Sequence, residues 1–347
     1  MSIPLTLLFV AAFTTIVAIS ILRPFAISIN LTDVPSNRKK HQGVVPLIGG
    51  IAMFIGFLIS VLSSTIDLNQ IKYFILASFI VVIVGSLDDH RDMSVGFRFL
   101  FQAAAALIIA GVGGVNIESF GDLLSRNEIF LNSWSIFFTV IAIIFALNAV
   151  NMLDGIHGLA GSISLITFIA LAYLAYNGSN HQSLIVALLM CAVIPPFLLE
   201  NLCIGRLQSN RIFMGDAGSM FLGMGIVWLL IDLSQGESKA FSPVIALWIF
   251  AIPIIDTIST IVRRLIIGKS PFKPDLNHLH HILNRMGFSN NIVLIIISIL
   301  SLSMALIGVL GETNSIPEWK MFIGFSVVFI IYFILSYILL LRIDGNK

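Results

Sequence analysis

The chain has 347 residues, of which 58% are hydrophobic and only 11% charged, with a net charge of +1 and a mean hydropathy of +1.02. So few charges cannot cover the surface of a soluble fold, and the same figures exclude a disordered chain, a fibre, a secreted disulfide scaffold and a nucleic-acid binder. At about 20 apolar residues per bilayer crossing, the chain has room for roughly ten or eleven spans.

The first apolar stretch, residues 3 to 22, has no Lys or Arg ahead of it and is too long for a signal-peptide core, so a retained first helix is expected. Apolar runs between polar or Gly/Pro-containing breaks then predict spans at 45 to 64, 71 to 87, 97 to 115, 133 to 150, 159 to 176, 183 to 202, 217 to 233, 243 to 262, 291 to 310 and 321 to 341. The two cysteines, Cys191 and Cys203, lie in or beside one span and are expected to pack rather than pair. The expected fold is an all-α, polytopic integral membrane protein of about eleven transmembrane helices, a single domain over residues 1 to 347 with no internal repeat.

Eleven spans put the termini on opposite sides. All Lys and Arg residues except Lys72, Arg126, Lys239 and Lys320 fall in one alternate set of breaks, which also holds the C-terminus. The positive-inside rule then predicts a periplasmic N-terminus and a cytoplasmic C-terminus. The polar clusters at Arg38 to His41, Asp88 to Asp92, Asn148 to His157, Arg211 to Ser219 and Asp275 to His281 all land on the cytoplasmic side, although their acids, amides and histidines were not used to orient the chain.

Each cluster taken alone has an ordinary reading beside a functional one. Asp88, Asp89 and Asp92 in SLDDHRD are a solvated acidic cap or a site that needs a cation. Asn148, Asn151 and Asp154 in NAVNMLDGIHGLAG recur at i+3, so they are a polar C-cap or one wall of a cavity. Asp216 in FMGDAGS is a helix N-cap or a ligand beside backbone left open by Gly215 and Gly218. His278, His280 and His281 in SPFKPDLNHLHHIL make a poor zinc site and read as a wet loop or, near Arg263, Arg264 and Lys273, as a phosphate-binding surface. Arg38 to His41 in DVPSNRKKHQGVVPLIGG are a topology anchor or an anion contact. Their coincidence on one face favours the functional readings. Acids that converge require a counter-cation, and Mg²⁺ takes one or two protein oxygens together with phosphates and water. An acid-rich interface ringed by Arg and His therefore points to phosphoryl transfer between a lipid phosphate and a soluble nucleotide.

RKKHQGVVPLIGG, SLDDHRDMSV, NAVNMLDGIHGL, FMGDAGS and SPFKPDLNHLHHIL, in this order, resemble the polyprenyl-phosphate N-acetylhexosamine-1-phosphate transferases across nearly the whole chain. The resemblance implies transfer of GlcNAc-1-phosphate from UDP-GlcNAc to undecaprenyl phosphate, giving undecaprenyl-diphospho-GlcNAc and UMP, with Mg²⁺ or Mn²⁺. This would be the first lipid-linked step of O-antigen or related surface-glycan synthesis, at the cytoplasmic face of the bacterial inner membrane. It further implies that Asp216 holds the metal with Asn151, and that Asp88 and Asp89 serve the lipid phosphate. Asp154, with Asn148 and His157, would bind nucleotide or sugar; His278, His280 and His281 the diphosphate; and Lys40, His41 and Arg264 the anionic substrates. The expected partners are UDP-GlcNAc, undecaprenyl phosphate and membrane lipid, with a homodimer as an option and no nucleic acid. Two departures stand out: His157 replaces the second acid of a DGxDG pattern, and Leu276 replaces a basic residue of the last loop. The alternatives are another UDP-N-acetylhexosamine as donor and, from a different class, a cation-coupled transporter.

Overall fold

The computed structural model describes residues 5–34, 43–64, 67–204, 211–270 and 277–345. It is a mostly helical, polytopic membrane protein. Helices α1 (Leu5–Ser28), α2 (Gly49–Leu62), α3 (Leu68–Arg91), α4 (Val95–Leu107), α5 (Ser135–Leu153), α6 (Leu159–Asn177), α7 (His181–Asn201) and α8 (Gly215–Ser234) make up its first two-thirds. Then come α9 (Pro243–Ile249), α10 (Ala251–Ile266), α11 (Leu279–Arg285), α12 (Asn290–Thr313) and α13 (Glu318–Gly345). Among the described residues nine helices are long and apolar enough to cross a membrane, or ten if α9 and α10 are one span.

Every expected span meets a helix, but two differ from expectation. At 14 residues, α2 is short for a crossing, because the preceding residues Val45–Pro46 form β2, which pairs with β1 (Thr32–Asp33). The ninth span breaks at Phe250, where α9 and α10 meet at 83°. In addition, α3 outlasts its predicted end at residue 87 and carries Asp88 and Asp89 on its last turn; Asp92, at φ 45°, then stops it. Ser94 caps the next helix, accepting from the Phe97 amide at 3.4 Å.

The centre of the molecule is α8. It is apolar on all sides, and 94% of its span is buried, as expected for a helix with no solvent face. It packs against α2, α3, α5, α6 and α7. Small residues allow close approach where little else draws apolar helices together. A side chain at Gly85 of α3 would collide with the Ala217 backbone and lie 2.7 Å from the Asp216 carbonyl carbon. Gly50 of α2 meets the backbone of Gly218 in the same way. Short backbone bonds finish the join: the Phe213 amide donates to the Pro46 carbonyl at 2.9 Å, and the Gly49 and Gly50 amides to the Phe213 and Met214 carbonyls at 2.9 and 3.0 Å. Three segments distant in sequence are thus locked around the start of α8.

Gly85→Val tests this packing. It should cost about 1–3 kcal/mol of stability by overpacking and lower the melting temperature of the purified protein. A variant as stable as wild type would mean that α3 and α8 do not meet at this point.

Candidate active site

The Gly85 contact brings the last turn of α3 against the first turn of α8. There Asp89 accepts from the Asp216 amide at 3.0 Å and from the Ala217 amide at 3.5 Å. Asp89 is therefore the side chain that closes the N-terminus of α8; Asp216 is not its own cap, and the amides expected to be open to a ligand are occupied. Gly215, at φ +70°, leaves room for that carboxylate, which a side chain would displace.

With its helix fixed, Asp216 faces two partners. Asn151 Nδ2, from the end of α5, donates to Asp216 Oδ1 at 2.7 Å and to Ser219 Oγ at 3.0 Å. Arg98 Nη1, from the first turn of α4, lies 3.3 Å from Asp216 Oδ2 and 2.7 Å from Asp88 Oδ2. Asp88 is 7% exposed and also accepts from the Met93 amide at 2.7 Å. Asp88, Asn151 and Asp216 thus meet through one guanidinium and one amide. Arg98 was not singled out in the sequence; its signal is a cation four residues past the Ser94 cap, directly after three acids.

These groups line a cavity of about 960 Å³, together with Asp154, His157 and His281. Asp154, just past the end of α5, is exposed and lines the cavity within a crowded rim. Burial first, and then the Asp216 charge, push its carboxyl up to about 7. His157 stacks on Phe213 with centroids 5.2 Å apart, and its Nε2 lies 3.0 Å from Arg211 Nη1. Arginine only donates, so that nitrogen carries no proton.

The three histidines do different things. His281 reaches the cavity. His278 sits behind it, its Nδ1 2.9 Å from Asp256 Oδ2. His280 is 1% exposed, and among the described residues neither of its ring nitrogens has a hydrogen-bond partner. Burial, followed by the neighbouring His281, lowers its pKa to about 3, so it is neutral at pH 7.

Besides His278 and His280, two further expected contacts lie off the cavity lining. Asn148 faces α4, donating to Gln102 Oε1 at 2.8 Å, because i+3 spacing turns it away from Asn151 by about 60° on a helix. Arg264 is buried on the last turn of α10. Lys40, His41 and Leu276 fall outside the described residues. Asp256, unassigned from the sequence, proves to be a hub; an acid inside an apolar span was the available signal.

The donor set can be tested against a metal. Among the described residues no three His, Cys, Asp or Glu side chains form a ready cage. Carboxylate and amide oxygens from Asp216 and Asn151 nevertheless suit a hard ion such as Mg²⁺, which takes few protein ligands when phosphates supply the rest. The residues fit that use.

Buried apolar helices around an acidic, cation-bridged cleft define a polytopic membrane protein built to handle charged groups. Glycosyl transferase family 4 matches residues 71–234, the stretch from α3 to α8 that supplies Asp88, Asp89, Asn151, Asp154 and Asp216. The undecaprenyl-phosphate alpha-N-acetylglucosaminyl 1-phosphate transferase of Haemophilus influenzae is 37% identical over 324 residues, 93% of this chain and 90% of that one. The Salmonella typhi protein of that name is 37% identical over 322 residues (92% and 87%), and the one from Escherichia coli K12 35% over 312 (89% and 84%). The chain belongs to glycosyl transferase family 4, as the ordered motifs led one to expect.

Two measurements check the site. Arg98→Leu leaves Asp88 and Asp216 without their shared cation and should lower turnover by about 10²–10³-fold, as loss of a preorganised charge partner does; near-wild-type turnover would remove Arg98 from the site. For pH, His280 resists protonation when folded but takes a proton near 6.5 when unfolded, so its contribution to stability is lost as pH falls from 6.5 towards 3. Asp154 has the opposite slope over part of that window, because its folded value is the higher one. The melting temperature of wild type should therefore fall more steeply on acidification than that of His280→Gln, and parallel curves would contradict the burial of His280.

Proposed function

We propose that this chain transfers GlcNAc-1-phosphate from UDP-GlcNAc to undecaprenyl phosphate, releasing UMP, at the cytoplasmic face of a bacterial inner membrane. The observation that carries the reading is the meeting of Asp88, Asn151 and Asp216 around Arg98 at the wall of a cavity. At about 960 Å³ that cavity is near the upper end of small-molecule sites, enough for a nucleotide sugar and a lipid headgroup together. The relatives' names supply the substrates.

An oxygen of the lipid phosphate attacks the β-phosphorus of UDP-GlcNAc, and the bond from that phosphorus to the bridging oxygen breaks, so UMP departs with the oxygen. Arg98 draws the lipid phosphate to the cleft, and Asp88 takes any proton that it still carries. Asp89 keeps Asp216 aimed into the cavity through the α8 cap. His281 steadies the diphosphate, Asp154 accepts from donor hydroxyls, and the flat His157–Phe213 pair offers a face to uracil. Asp216 and the amide oxygen of Asn151 would hold Mg²⁺ or Mn²⁺, which neutralises charge developing on the phosphoryl oxygens. Direct attack suffices, with no aspartyl intermediate.

The skew of Lys and Arg supports a topology with the N-terminus outside and the C-terminus in the cytoplasm, with eleven segments entering the membrane, α2 and the bent α9–α10 pair included. The product would supply O-antigen or related surface-glycan synthesis, and the chain could work as a homodimer.

Purified protein, radiolabelled UDP-GlcNAc, undecaprenyl phosphate and Mg²⁺ should yield labelled lipid and UMP. EDTA, or Asp216→Asn, should lower the yield by at least about 10²-fold. Labelled lipid that survives EDTA would sink the metal assignment, and faster use of UDP-GalNAc would sink the sugar.

A further inference from the structure

The histidine segment is held from behind by two pairs of side chains that the chemistry above does not use. Asp256 of α10, 1% exposed, accepts from His278 Nδ1 at 2.9 Å, from the Leu279 amide at 3.0 Å and from the Tyr332 hydroxyl of α13 at 2.6 Å. Two turns along the same face of α10, Arg263 donates to the Asn277 carbonyl at 2.9 Å, to Ser336 Oγ at 2.8 Å and to Thr260 Oγ1 at 2.9 Å. Ser336 is one turn beyond Tyr332 on α13. Residues 277–279 therefore run between two cross-links that join α10 to α13. A buried acid and a buried guanidinium in apolar helices are expensive to keep unless something depends on them.

What depends on them lies at the other side of α11. His280 occupies the space that a side chain at Gly155 would need, with its Nε2 against that glycine; its ring lies parallel to that of His278 with centroids 6.1 Å apart and meets that of His281 at a 45° tilt, centroids 4.0 Å apart. His280 thus lies between His278 and the Asp154 loop, while His281 lines the same cavity as Asp154 and Gly155. We infer that Asp256, Arg263, Tyr332 and Ser336 form a positioning clamp that seats the His278–His281 segment against Gly155 and so fixes His281 relative to the Asp154 loop. None of the four touches substrate. The clamp serves the donor side of the cavity and leaves the Asp88–Arg98 side alone.

The kinetic consequence rests on the transferase reading; the structural one does not. In Tyr332→Phe, which removes one hydroxyl, and in Asp256→Asn, KM for UDP-GlcNAc should rise roughly tenfold while KM for undecaprenyl phosphate stays within about twofold, a split that general loss of folded enzyme cannot produce. Asp256→Asn combined with His278→Gln should be no worse than the poorer single variant, since both break one linkage. Equal effects on both KM values, additive losses, or variants indistinguishable from wild type would overturn the clamp. Hydrogen exchange needs no turnover: amides of residues 154–158 should lose protection in Tyr332→Phe, and unchanged protection would overturn the clamp whatever the reaction proves to be. Lack of lipid product from wild type, with the exchange result as expected, would remove the transferase reading alone.

Discussion

The carboxylate of Asp89 on the first turn of α8 is the contact through which the rest of the site is built. The leading amides of a helix have no acceptor within it, and on α8 a side chain supplies one. Capping bonds are worth about 1 kcal/mol. The direction of the bond matters more than its energy here. By receiving the amide of Asp216 itself, Asp89 sets the phase of α8 relative to α3, and its neighbour Asp88 is thereby presented to Arg98 beside Asp216. Gly85 and Gly215 are what allow the two helices to approach so closely.

Among the described residues, acids outnumber cations in the lining of the cleft. Asp88 and Asp216 share the single guanidinium of Arg98, with Asp154 nearby. Like charges gathered in a low-dielectric pocket are unfavourable until cations join them. Phosphates alone would worsen the repulsion, whereas phosphates arriving with a divalent ion would relieve it. An ion that arrives with its substrate, as proposed above, would need few ligands from the protein.

Much of this was legible beforehand, for identifiable reasons. Burial in lipid requires long apolar runs, so hydropathy located every long apolar helix; it did not give the short α11, the 83° break at Phe250 or the shortening of α2 by a two-residue ladder, which length and composition do not encode. Motif chemistry brought Asp88, Asn151, Asp154, His281 and Asp216 to one cavity. Arg98 escaped notice because a basic residue at a helix end has a sufficient explanation in topology. Asp256 and Tyr332 escaped because their meaning is a long-range contact, 76 residues apart, and no local spacing signals it.

The motifs also contain more polar residues than the cavity uses, and helical geometry explains why. Adjacent residues on a helix point about 100° apart, so two neighbouring acids that border one cavity reach different partners. Asp88 meets the guanidinium while Asp89 turns to the backbone of α8. Asn151 reaches Asp216 while Asn148 ties α5 to Gln102 on α4. His281 enters the cavity while His280 fills the hollow at Gly155 and His278 turns back to Asp256. In these three motifs one member meets the ligand space or the groups at its wall, and another ties its own segment to the neighbouring one. A buried polar side chain acts over a few ångströms only, so a site assembled from distant segments needs such ties to hold its shape.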